Sequence, residues 1–110
     1  MGNRFSNLGI SNELADILNK NGIKDPTKIQ EKAIPDLVKG RDVVAQSQTG
    51  TGKTLAFLLP LMDKIEENKN YVQGLIITPT RELAIQITSE AKKLTDAKNI
   101  NILAAYGGQD

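Results

Sequence analysis

The stretch Ser47-Gln48-Thr49-Gly50-Thr51-Gly52-Lys53-Thr54 constrains this chain more than any other. It lies between a short apolar run, Asp42 to Gln46 centred on Val43 and Val44, and a strongly apolar segment from about Lys53 to Glu66 that reads as a helix. A strand, a glycine-rich turn and a helix in that order form a phosphate cradle. Gly50 and Gly52 let successive N–H groups face an anion, and the helix start adds partial positive charge. Lys53 then reaches the β- and γ-phosphates of a nucleotide, and the Thr54 hydroxyl offers a ligand to Mg²⁺. The pattern G-x-x-x-x-G-K-[ST] is met at Gly52, Lys53 and Thr54 and broken at Ser47, where its leading glycine would stand. The competing reading is a plain turn joining strand to helix. Gly-x-Gly-Lys-Thr at such a junction is too rare by chance to favour it. Ser47, Gln48, Thr49, Gly50, Thr51, Gly52, Lys53 and Thr54 are therefore candidate nucleotide contacts, with Lys53 and Thr54 the candidate catalytic groups. By itself the stretch does not say which nucleotide binds or what hydrolysis drives.

The flanking pattern predicts an α/β organisation. Ser11 to Gly22 reads as a helix with Leu14, Ile17 and Leu18 on one face and Gly22 as its stop. Pro26-Thr27 starts a second helix, which Pro35 is expected to interrupt and Gly40 to end. Beyond residue 41 the segments 42–46, 71–78 and 100–105 read as strands, separated by the helix from Lys53 and by another from Thr80 to Leu94. In the latter, Leu83, Ile87, Ala91 and Leu94 share a face. Apolar strands alternating with helices imply a parallel sheet buried on both faces. The expected organisation is an N-terminal helical segment, 1–40, followed by an α/β segment, 41–110. The chain ends at Gly107-Gly108-Gln109-Asp110, directly after the third strand, and so reads as a piece of a longer protein.

Composition narrows the chemistry. There is no cysteine and no histidine, which excludes disulfides, thiolate or imidazole metal sites and a Ser-His-Asp triad. A net charge of +1 gives no broad basic surface, so a nucleic-acid partner must be argued from motifs. No apolar run approaches the roughly 20 residues that span a bilayer, and no signal peptide opens the chain. Met1-Gly2-Asn3-Arg4-Phe5-Ser6 fits the loose N-myristoylation pattern, but no second acylation site or polybasic cluster supports it. The default setting is soluble and cytoplasmic, with no membrane partner.

Further motifs flank the cradle. Gly22 to Gln30 precedes it, with Phe5 further upstream; Pro79-Thr80-Arg81-Glu82-Leu83-Ala84 opens a helix after it, and Gly107-Gly108 follows. In this order they closely resemble the DEAD-box RNA helicases. Gly22 to Gln30 looks like that family's Q motif, Ala45 to Thr54 its motif I, Pro79 to Ala84 its motif Ia, and Gly107-Gly108 its GG motif. The Tyr106-Gly107-Gly108-Gln109 ending looks like bacterial members. The resemblance implies the first three strands of a RecA-like P-loop domain, the first lobe of the helicase, ending before the DEAD tetrapeptide and the second lobe. It implies ATP and Mg²⁺ as cofactors and RNA, held by its backbone, as partner. It puts Phe5 and Gln30 on the adenine and Lys24 among the ATP contacts, Thr80 and Arg81 on RNA phosphates with Pro79 beside them in the RNA site, and Gly107 and Gly108 where the RNA strand approaches the backbone.

Each of these roles has a structural competitor. Thr27-x-x-Gln30 is also a capping box, Phe5 also a core residue or staple, Thr80 and Arg81 also an N-cap and a solvated charge, and Gly107-Gly108 also a plain turn. At the level of the whole chain, the alternatives are another P-loop ATPase and a stand-alone adenine-nucleotide-binding module. Without the Walker B carboxylates the 110-residue chain is expected to be catalytically inactive alone. Its uncovered last strand is expected to favour dimerisation or domain swapping.

Overall fold

Helix boundaries in this chain are written in its caps. The computed structural model describes residues 4–46, 50–95 and 100–106. After a 3-10 turn at Ser6–Leu8, the helices are α1, Asn12–Lys20; α2, Lys28–Val38; α3, Gly50–Lys64; and α4, Arg81–Lys93. Ser11 caps α1 by accepting from the Leu14 N–H, and Thr27 caps α2 in a full capping box with Gln30. Both helices end in the same motif. The Gly22 N–H reaches the Asn19 carbonyl and the Ile23 N–H the Leu18 carbonyl; the Gly40 N–H reaches Leu37 and the Arg41 N–H reaches Asp36. This motif needs a left-handed residue just past the helix, and Gly22 (φ 79°) and Gly40 (φ 83°) supply it without a Cβ penalty.

Pro35 does not interrupt α2 as expected; the helix runs through it to Val38. A proline in that position removes one N–H, whose acceptor would be the carbonyl of Glu31, an exposed residue that water can reach. The remaining turns hold because Ala33 and Ile34 are buried on the adjoining face. α3 likewise continues through Pro60. It begins at Gly50, earlier than Lys53, and ends at Lys64, before Glu66.

The chain divides into two units, Met1–Lys64 and Ile65–Asp110, a division made at the end of α3 rather than at the 40/41 boundary of the motifs. In the first, α3 packs along α2. Phe5, Leu18, Ile34, Leu58 and Leu59 are its largest fully buried side chains. The expected face of α1 is buried as read, with Leu14, Ile17 and Leu18 all inside. Each such side chain contributes on the order of 1.5–3 kcal/mol by leaving water. The far end of α3 is tied down by polar groups. The Asp63 carboxylate accepts from both the Ser11 N–H and the Ser11 hydroxyl at 2.8 Å, and Lys64 Nζ donates to the Leu37 carbonyl at 2.9 Å.

In the second unit, α4 buries Ile87 and Ala91, and Leu94 at its C-cap is buried as well. Ahead of it, the Gln73 side chain clamps a loop by accepting from the Glu66 N–H and donating to the Glu66 carbonyl, both at 2.8 Å. The segments 73–78 and 100–106 alternate between half-buried and exposed residues, as side chains of an extended chain do. Yet no strand is formed among the described residues, and the expected parallel sheet is absent from them. Nor are the expected strands buried on both faces: Val44, Leu75, Ile77 and Leu103 are exposed. Alternation is local, whereas a strand exists only through hydrogen bonds to a neighbour distant in sequence.

Candidate functional site

The first turn of α3 carries Gly50, Thr51, Gly52 and Lys53. N–H groups at such a start have no carbonyl ahead of them in the helix and point outward, with the positive end of the helix dipole. The glycines therefore act within the helix rather than in a preceding turn. Ser47, Gln48 and Thr49 lie outside the described residues. Lys53 is half-buried and, among the described residues, no carboxylate pairs with it. Thr54 is buried at 7% exposure on the next turn. An ammonium and a hydroxyl beside outward N–H groups are the donor set that suits a polyphosphate with a hard cation.

What holds this turn is the start of α2. Gln30 is 3% exposed, and both ends of its amide are engaged. Its Oε1 accepts from the Thr27 N–H at 2.8 Å, while its Nε2 donates to the Gly52 carbonyl at 3.2 Å. The capping box and the tie to the first turn of α3 are thus made by one side chain. Its second N–H and second lone pair remain in its bonding capacity. Gly52 allows a close approach here. A Cβ at this position would lie 3.1 Å from Thr27 Oγ1 and 3.4 Å from Ile29 Cγ2.

Phe5 is fully buried in the core of the first unit. That burial is what its competing reading as a core residue requires. Lys24 is exposed.

In the second unit Thr80 has extended backbone and caps α4, accepting from the Leu83 N–H at 3.2 Å; the Thr78 hydroxyl donates to the Thr80 carbonyl at 2.9 Å. Arg81, the first residue of α4, is exposed, and its guanidinium lies 5.0 Å from the centroid of the Tyr106 ring. These residues and Pro79 wall a cleft of about 370 Å³. Gly107 and Gly108 lie outside the described residues. Two features were invisible to motif reading: the bond from Gln30 to Gly52 and the ring beneath Arg81. Both join residues more than a turn or motif apart, and no local spacing signals either.

α3 thus opens with a lysine and a buried hydroxyl, its first turn tied to the buried Gln30 amide. The DEAD/DEAH box helicase family matches residues 27–110, and the chain belongs to that family. It is 49% identical over 107 residues to the ATP-dependent RNA helicase CshA of Listeria monocytogenes, an alignment covering 97% of this chain and 21% of that protein. The chain therefore spans about a fifth of the length of that relative. Among solved structures it is similar to a DEAD box protein from the hyperthermophile Methanococcus jannaschii, with a TM-score of 0.89 and 40% identity over 100% of this chain and 30% of the other. It is also similar to S. cerevisiae Dbp5 bound to RNA and ADP BeF3, with a TM-score of 0.80 and 35% identity over 87% of this chain and 25% of the other. The α/β fold of these proteins fits this chain. No helix among the described residues is long and apolar enough to cross a membrane.

Proposed function

We propose that this chain is the nucleotide-gripping part of an ATP-dependent RNA helicase. In this reading it forms the front of a RecA-like lobe whose parallel sheet is built on 42–46, 71–78 and 100–105. The observation that carries the proposal is the Gln30 amide bonded to the Gly52 carbonyl, because it couples a base-reading side chain to the phosphate-reading turn. The amide's remaining donor and acceptor match N7 and N6 of adenine. Lys53 neutralises the β- and γ-phosphates, the first-turn N–H groups of α3 bond their oxygens, and Thr54 would hold Mg²⁺. The ion, when bound, supplies further charge neutralisation there.

Thr80 and Arg81 grip the RNA backbone, which carries no sequence information, and Gly107 and Gly108 give the strand room. Membership of the helicase family favours this reading over another P-loop ATPase or a stand-alone nucleotide-binding module. A cytoplasmic setting and self-association through exposed Leu75, Ile77 and Leu103 belong to the same proposal. Light scattering at rising concentration tests the latter.

The decisive experiment is nucleotide titration of the full-length helicase. Lys53→Ala should abolish ATP binding with the melting temperature retained. Gln30→Ala should reduce the preference for ATP over GTP by roughly ten- to a hundredfold. The loosened Gly52 contact weakens both nucleotides alike, so only lost base reading moves the ratio. An unchanged ratio would return Gln30 to the role of a helix cap.

A further inference from the structure

We propose that Tyr106 is a positioning residue for RNA binding, its ring holding the Arg81 guanidinium by the face so that the N–H edge is presented to a phosphodiester. The inference rests on the reading of Arg81 as an RNA contact. At 5.0 Å from guanidinium carbon to ring centroid, the pair is within the cation–π range of about 6 Å. An exposed arginine otherwise samples many rotamers, and a ring under its plane restricts them while leaving the in-plane donors open. Among the described residues no carboxylate pairs with Arg81, so those donors are not spent on an ion pair.

Its position is also electrostatically odd for a helix. Arg81 is the first residue of α4, at the positive end of the dipole, where a cation destabilises the helix. Helix stability therefore does not explain this arginine. A positive side chain beside a positive helix start, on a cleft of about 370 Å³ walled by Pro79, Thr80 and Tyr106, makes a place for an anion. The negative face of the Tyr106 ring offsets the repulsion while the cleft stands empty of phosphate.

The test is a double-mutant cycle in the full-length helicase, read by anisotropy of a fluorescein-labelled oligouridine across a salt series. Tyr106→Phe and Tyr106→Trp keep a ring and should bind as the parent does. Tyr106→Leu should weaken binding about two- to fivefold, the range of an exposed cation–π contact. Arg81→Ala should weaken it more and flatten the salt slope by about 0.7, one phosphate contact to a single strand. Adding Tyr106→Leu to Arg81→Ala should cost nothing further. If Tyr106→Leu loses the same factor with or without Arg81, or loses nothing while Arg81→Ala does, the positioning role is overturned and the RNA reading stands. If Arg81→Ala leaves affinity and slope unchanged, the RNA reading of Arg81 fails and the proposal falls with it.

Discussion

The two units treat their apolar residues in opposite ways. Of the fifteen buried apolar residues among those described, twelve belong to Met1–Lys64 and only Ile87, Ala91 and Leu94 to Ile65–Asp110. Conversely, Tyr71, Val72, Leu75, Ile77, Ile85 and Leu103 of the second unit are exposed, against Val44 in the first. The difference follows from the elements each unit uses. Helices satisfy their own backbones, so α1, α2 and α3 need only bury one face each. Extended segments satisfy neither backbone nor side chains alone, and remain open until a neighbour pairs with them. The first turn of α3 belongs to the first unit, where it is pinned at Gly52; the Arg81 cleft belongs to the second.

The widest contrast is tested by truncation on each side. Phe5→Ala, at a fully buried ring, should cost about 3–5 kcal/mol in urea unfolding. In the 110-residue chain by itself, where 72–78 forms no strand, Ile77→Ala at 86% exposure should stay within about 0.5 kcal/mol. A loss at Ile77 as large as at Phe5 would mean that Ile77 is packed in a formed sheet, and the comparison would break.

The join between α2 and α3 gives the next largest effect. A capping box accepts glutamate as readily as glutamine, so the motif alone predicts that Gln30→Glu is silent for stability. The structure reverses that expectation. Glutamate loses the donor to the Gly52 carbonyl and sets a carboxylate oxygen against it in a site 3% exposed. Unfolding free energy should fall by roughly 1–3 kcal/mol even without nucleotide. Equal melting temperatures for Gln30→Glu and the parent would dissolve the tie.

Helix caps should behave alike in the two units, since they are local. Thr27→Ala and Thr80→Ala each remove a hydroxyl that accepts a first-turn N–H. Each should cost about 1 kcal/mol by chemical denaturation. The smallest effect is expected at Arg4 and Asp25, paired at 3.2 Å with side chains 68% and 72% exposed. Asp25→Asn should change stability by less than about 1 kcal/mol, and less still at high salt.

Sequence alone determined what depends on near neighbours. Thr27 and Gln30 announce a helix start, Gly22 and Gly40 announce helix ends, and Leu14, Ile17 and Leu18 announce a buried face; all were found so. The Gly50 to Thr54 stretch announced a helix close by, but the helix begins at Gly50 rather than at Lys53. Pro35 misled because its cost of a single hydrogen bond was outweighed by tertiary burial of Ala33 and Ile34, which local reading cannot sum. Phe5 is a different case: an isolated aromatic has the same spelling whether it faces a ligand or a core. What only the tertiary structure decided are the meetings of distant residues: Gln30 with Gly52, Asp63 with Ser11, Arg81 with Tyr106. The physical reason is that such contacts depend on how whole elements pack. A sequence specifies that packing through the sum of many burial energies, and no spacing between the two partners records it.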